Sequence, residues 1–507
     1  MRTSDQGPAQ QYHTETSYSR ERMHCHVLDW ANQPLPYKDY PDAPSKPLPT
    51  DIRLAQGTPA KISPSNLGID PDTPFDLRRL AVVCALAHSF TAKRRIQGQT
   101  YLYRSVASAG ALYPAELYLA ADQISGLASG LYYYDIRTFA LKQLRSDLNT
   151  PAGPRPTPSP KRRPALATFF ITGIFFRSAW KYRARALRYV LLGAGHLLEN
   201  LRKALHAQGL KFHVDYDFDD GVLNRYLRLD PRREALFCTV TVYGDTAPQT
   251  SEGPQTGPRP HALVSGLSAA DQPADNEIIY ESIEKMYRAS IPLPQYPLPR
   301  NDDLQVTESR PTKWLPLPPY DQTADERTYD QSVVQRRSKR NFIDRPLPRV
   351  KACNLLRLLS NASLPENTSA GLQIGFATRG VTGLAAGFYL LDHEKNQVGL
   401  VRAAQLVQPM ATVCLDQQWL KNAALHLLFM VNLKALDRTW GARGYRYAML
   451  EAGRLGQTLY LGATTLGLGC CGIGAFYDDE ARSLLALNTD SVLLYLVAVG
   501  QVRRLFD

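Results

Sequence analysis

No stretch of this 507-residue chain holds the ~18–20 consecutive apolar residues that a membrane-spanning helix needs. The longest apolar run, FFITGIFF at 169–176, reads as a buried strand. The opening MRTSDQGPAQQYHTET lacks the apolar core of a secretory signal, so a cytoplasmic location is expected. Cysteine is sparse: Cys25, Cys84, Cys238, Cys353, Cys414, Cys470 and Cys471 make no CxxC pair and no zinc spacing. They read as reduced, mostly buried thiols, and no metal site is expected. Charge of one sign is not concentrated either. The net +12 comes from 59 basic and 47 acidic residues spread along the chain, with no nucleic-acid motif beside them, so no nucleic-acid partner is expected.

What the chain does have is a repeat of itself. GLASGLYYYD at 126–135 returns as GLAAGFYLLD at 383–392, an offset of 383 − 126 = 257. RALRYVLLGAGHLLENL at 185–201 returns as RGYRYAMLEAGRLGQTL at 443–459, an offset of 443 − 185 = 258. Two independent segments in nearly one register indicate a duplicated domain, since the period is far longer than that of a solenoid. A fused duplicate can fold as an internal pseudo-dimer with a site between its halves.

Proline divides the chain. Residues 1–70 read as an arm over a core, 71–246 as a first domain, 247–328 as a proline-rich linker with one amphipathic segment at 275–290, and 329–507 as a second domain. TPAGPRPTPSPKRRP at 150–164 reads as an exposed loop. Helices are expected at 77–87, about 182–207, about 350–360 and 443–466, and from QSVVQRRSKRNF. Strands are expected at 116–121, in ATFFITGIFF and in ALFCTVTVYG, and VLLYLVAVGQV reads as the final strand. Helices and strands mix without strict βαβ alternation, which favours an α+β fold.

Three features could carry chemistry. RRSKR at 336–340 would place Arg336 and Arg340 on one helix face with Ser338 between, a donor set suited to phosphate or planar carbonyls, or an ordinary solvated basic helix start. GLGCCGIGAF at 467–476 contains a formal GxGxxG. It follows a helix rather than a strand, so it reads as backbone passing close to a flat ligand, or as a glycine cap and turn. SAGALYP at 108–114 is a small-residue loop entering a strand.

Together, RRSxRxF, LGLGxCGIGAF and LYLVAVG in the second half resemble the FMN-dependent nitroreductase family. RxxxSAGALYPxELY and WKYRxRxxRYxLLxAGHLxxN in the first half resemble its SagB-type dehydrogenase branch, which includes oxidases that make azoles in modified peptides. The resemblance implies two fused nitroreductase-like domains, each a mixed, largely antiparallel sheet flanked by helices, and a small-molecule or modified-peptide substrate. It also implies that Arg336, Arg337, Ser338 and Arg340 bind FMN and that the Gly472–Ile473–Gly474 backbone faces its ring. Arg503 and Arg504 would assist the phosphate, and Ser108, Ala109, Gly110, Ala111 and Leu112 would approach from the other half. Lys181 and Tyr182 match a proton-handling pair. Each half lacks one flavin-contacting element, so one composite FMN site per chain is expected, with NAD(P)H stacking transiently on it. The alternative is a flavin- or partner-binding scaffold whose chemistry has decayed. The pseudo-dimer retains the option of dimerising again.

Overall fold

The computed structural model describes residues 6–23, 27–52, 73–96, 98–146, 165–244, 274–294, 304–311, 313–362 and 371–503. The loop expected at 150–164, Arg504 and much of the expected linker lie outside them. The first half contains α1 (Pro8–Glu15), β1 (Ser45–Pro47), α2 (Leu77–Ala87), β2 (Phe90–Ile96), β3 (Gln99–Arg104), β4 (Ala115–Ala121), β5 (Gly130–Asp135), β6 (Ala140–Arg145), β7 (Ala165–Ile174), α3 (Phe175–Tyr182), α4 (Ala186–Ala207), β8 (Lys211–Asp215), α5 (Asp220–Leu227) and β9 (Glu234–Tyr243). The second contains α6 (Glu281–Ala289), β10 (Trp314–Pro316), α7 (Tyr329–Gln335), α8 (Arg349–Ser360), β11 (Gln373–Thr378), β12 (Gly387–Asp392), β13 (Gln397–Arg402), α9 (Val407–Val413), β14 (Leu425–Asn432), α10 (Leu433–Trp440), α11 (Arg443–Thr465), β15 (Gly469–Ile473), α12 (Asp478–Leu484) and β16 (Ser491–Gly500).

Each half is built on a seven-stranded antiparallel sheet, ordered β1-β6-β5-β4-β7-β9-β8 in one and β10-β13-β12-β11-β14-β16-β15 in the other. The two orders correspond strand for strand, and the repeated GLYYYD and GFYLLD are β5 and β12. Central strands such as β4 are buried on both faces, which explains their nearly unbroken apolar sequence. No helix among the described residues is long and apolar enough to cross a membrane.

The repeated helices α4 and α11 pack on each other at the centre, inside one hydrophobic cluster that takes in both halves. They cross backbone to backbone at Gly195 and Gly453, which correspond across the repeat (453 − 195 = 258). A Cβ on Gly453 would fall against the Leu192 carbonyl, and one on Gly195 against that of Leu450. Polar groups line the crossing: Arg454 reaches Glu199 at 3.2 Å, and Gln457 donates to Asn200 at 2.7 Å.

Two ion-pair clasps flank the crossing. Arg185 and Arg188 of the first half hold Asp478 of the second at 2.7 Å each. Arg443 and Arg446 of the second hold Asp220 of the first at 2.5 and 2.7 Å. All six residues are buried, and each clasp maps on the other by 258 residues. Short helices complete this exchange. The N-terminus of α1 is capped by Asp437 of the second half, whose carboxylate accepts from Ala9 N and Gln10 N at 3.1 Å each. Helix α6, which precedes the second sheet, lies on the first half, where the Tyr287 hydroxyl accepts from Asn224 at 2.7 Å and donates to Asp220 at 3.3 Å.

Three local expectations are corrected. Helix α7 ends at Gln335, and Arg336 turns out of it at φ −56°, ψ 122°, so Arg336 and Arg340 do not share a helix face. The cause is a competing partner: Ser338 bridges to Cys470, and Lys339 N donates to Cys470 O at 2.9 Å, which draws the chain into extended form. GLGCCGIGAF is largely the edge strand β15, paired with β16; only Gly467, at φ +70°, makes the turn after α11. In FFITGIFF the strand stops at Ile174, and its last two phenylalanines open α3.

Candidate functional site

A cleft of about 160 Å³, open to solvent at its mouth, lies between the halves. Its first-half wall is the loop at Ala107–Gly110, with Tyr182 and Tyr189; its second-half wall is Ser338, Arg340 and the chain from Cys471 to Ala475. The two candidate elements from different halves therefore meet on one space. Residues not singled out as site candidates complete it: Leu192, His196 and Tyr495, which stand inside the motifs above, and Gly193, Gln417, Trp419 and Tyr460. Tyrosine and histidine on a buried helix or strand read as core.

The floor is a hydrogen-bonded aromatic group. The Tyr460 hydroxyl accepts from Gly472 N at 2.7 Å and pairs with Ser338 Oγ at 2.8 Å. The neutral His196 ring donates from Nδ1 to Gln457 Oε1 at 2.8 Å and accepts at Nε2 from Tyr495 at 3.1 Å. Burial lowers its pKa to about 4 against the raising effect of Gln457. Burial also pushes the Tyr460 and Tyr495 phenols well up, and the Cys471 thiol up with Arg340 opposing.

The first-half loop is conformationally strained. Gly110, Ala111 and Tyr113 have φ of +64°, +55° and +45°, and two of them carry side chains that disfavour this region. The Ser108 hydroxyl accepts from Tyr113 N at 2.9 Å, and Arg177 donates to Tyr113 O at 3.0 Å, which holds the turn. Leu112 is buried beneath it; neither Leu112 nor Ala111 lines the cleft.

The other candidates divide. Tyr182 lines the cleft, its ring tilted 40° against that of Tyr189 with centroids 4.2 Å apart, and burial raises its pKa. Lys181 does not line it; its ammonium lies 5.7 Å from the Tyr182 ring centre. Arg336 is buried, its guanidinium bonded to the carbonyls of Arg104, Ser105 and Val106. Arg337 donates to Thr91 O at 2.6 Å. Arg503 is exposed on a terminal segment paired with Asn341 and does not line the cleft. Among the described residues, Arg340 is the one cationic side chain on the cleft wall, 5.7 Å from the Trp419 ring centre.

The corresponding place in the other copy is filled. Where the cleft has Gly193, His196 and Gly474, residues 258 positions away are Glu451, Arg454 and Tyr216 (193 + 258, 196 + 258, 474 − 258). All three are buried. Tyr216 donates to Glu451 at 2.6 Å and Arg454 Nε to Glu451 at 2.8 Å, so side chains stand where the cleft has open space.

Residues 333–501 match the nitroreductase family. A protein of Methanocaldococcus jannaschii named as a nitroreductase is 29% identical over 178 residues, 34% of this chain and 90% of that protein. The trifolitoxin-processing protein TfxB of Rhizobium leguminosarum bv. trifolii is 26% identical over 181 residues, 33% of this chain and 47% of TfxB. A crystal structure of a nitroreductase-type protein from Anabaena variabilis is 25% identical, with a TM-score of 0.73 over 98% of this chain and 100% of that one. The family match lies in the second half and the structural likeness takes in both. The second half is thus similar to the nitroreductase family, and the chain as a whole shares the tandem fold of the Anabaena variabilis protein.

Proposed function

We propose that the cleft is the FMN site of an oxidoreductase, one per chain, with a wall from each half. The observation that carries this is the pairing of one open cleft with a filled counterpart. The residues fit a flavin. Gly472 and Gly474 leave a cradle that a side chain would occupy, since a Cβ at Gly474 would lie 2.6 Å from the Tyr189 ring and one at Gly472 would strike the Tyr495 hydroxyl. A flat ring system can lie along such a strip, with hydroxyls from Ser338, Tyr182 and Tyr189 and the Gln417 amide around it. The phosphate charge falls to Arg340 rather than to Arg336. FMN, when bound, supplies a reversible hydride centre, and the protein supplies orientation and electrostatics.

The chain's own residues then have separate tasks. Tyr182 keeps its proton at ordinary pH, so its phenol can donate to a group in the cleft while Lys181 stays behind its ring. The small residues Ser108, Ala109 and Gly110 admit a planar partner close to the opposite wall. A nitro- or quinone-type acceptor reduced with NAD(P)H fits this reading, and the likeness to a trifolitoxin-processing protein adds a modified peptide to the substrate classes.

Flavin absorbance per polypeptide in the purified protein tests the stoichiometry: a value near one is expected, and a value near two overturns the single site. Anaerobic reduction followed by mixing with candidate acceptors tests turnover. A bound flavin inert to every donor and acceptor would favour a scaffold.

A further inference from the structure

The carbonyls of Arg104, Ser105 and Val106 lie where the chain leaves the β2–β3 hairpin, at the last residue of β3 and the two after it, ahead of β4. All three residues are buried, so their backbone acceptors need donors. One side chain from the other half supplies them. Arg336 Nε donates to Ser105 O at 2.8 Å, and Nη2 to Arg104 O at 2.9 Å and Val106 O at 3.3 Å. Gln457 adds a longer bond to Ser105 O at 3.4 Å.

Arg336 is only 3% exposed and forms no ion pair among the described residues. A guanidinium out of water without a carboxylate is held by converging dipoles, and a planar fork can address several carbonyls that an ammonium cannot. The adjacent Arg337 acts in the same direction, bonding Thr91 O at 2.6 Å and Thr91 Oγ1 at 3.0 Å on β2. Immediately after Val106, at Ala107, the first-half wall of the cleft begins, on a backbone whose left-handed Ala111 and Tyr113 persist only if their surroundings determine them.

We propose that Arg336 is a positioning residue: it fixes, across the boundary between the halves, the loop that forms the first-half wall of the cleft, and it does not hold the phosphate of a bound flavin. The geometry is independent of the flavin reading; the binding arm of the test rests on it. Dissociation constants for FMN and for riboflavin, which lacks the phosphate, are measured by fluorescence titration on the full chain and its R336M, R336K and R340A variants. Hydrogen exchange is followed across residues 104–113.

In R336M both flavins weaken by a common factor, on the order of tenfold, so the FMN-to-riboflavin affinity ratio stays at the wild-type value while exchange at 104–113 rises. R336K gives a smaller change in the same direction and carries the test if R336M does not fold. R340A lowers the ratio. A collapse of the ratio in either Arg336 variant, with exchange at 104–113 unchanged, overturns the proposal. If the wild-type protein binds neither flavin, the functional reading fails on its own, and exchange alone decides the role of Arg336: unchanged protection overturns it.

Discussion

Replacing Gly453 by alanine sets two known effects against each other at the helix crossing. In an ordinary helix interior the change stabilises by up to about 1 kcal/mol through propensity. Here the new Cβ would press on the Leu192 carbonyl oxygen and lie 2.9 Å from both Leu192 C and Cα, all backbone atoms that cannot swing aside. Ordinary contact begins at 3.4 Å, so the helices must part by at least 3.4 − 2.9 = 0.5 Å, and further for the oxygen. Overpacking of this kind costs about 1–3 kcal/mol. Parting also stretches the Arg454–Glu199 and Gln457–Asn200 bonds, at about 1 kcal/mol each. The net expectation is a loss of about 2–4 kcal/mol. Urea midpoints of the full chain measure it, with G193A as the internal comparison. On the same helix pair, a Cβ at Gly193 would meet only the Pro114 side chain at 3.5 Å, so that variant should match or exceed wild type. A G453A midpoint at or above wild type would refute the backbone-to-backbone crossing.

Two further outcomes follow from buried charge. D220N leaves Arg443 and Arg446 without their shared carboxylate and should cost about 3–5 kcal/mol in denaturant unfolding, with D478N matching it through the twin clasp; a cost below ~1 kcal/mol would count against the clasps. Stability should fall on acidification in two windows. Burial lowers the pKa of His13 to about 3 and of His196 and His426 to about 4, so below about 6.5 the unfolded chain binds protons that the folded one refuses. Glu199 is opposed by burial but drawn to about 2 by Arg202, Lys203 and Arg454, so its contribution is present above 4.5 and lost between 4.5 and 2. Denaturation midpoints at pH 7.5, 6.5 and 5.5 check the first window, and a flat profile with no relief in H13Q would contradict it.

The duplication was legible because two apolar, register-keeping segments survived in both copies, and they turned out to be equivalent strands and helices. The RxxR pairs at Arg185, Arg188, Arg443 and Arg446 stood in the repeat, but nothing local indicated that each reaches a carboxylate in the other half. The arms were harder to read. Helices α1 and α6 have unlike sequences and different spacing to their sheets, and what they share is a docking site rather than a pattern. The end of α7 is not written locally, because helix propensity in QRRSKR is ordinary and the competing partner, Cys470, lies 132 residues downstream of Ser338 (470 − 338). The site itself was half legible. Loop and glycine strand carried motifs, as did His196 and Tyr495, but that these two meet Tyr460 in one aromatic floor is specified only in three dimensions.

The exchanged helices also impose an order on synthesis. Residue 13 leaves the ribosome 478 − 13 = 465 residues before the aspartate it packs beside, roughly 20–90 s at ordinary elongation rates. Through that interval Arg185 and Arg188 have no carboxylate to close on, and α1 lacks the Asp437 carboxylate that caps its N-terminus. The first half emerges as an incomplete template, and completion of both copies waits for the stretch from Asp478 to the end of β16.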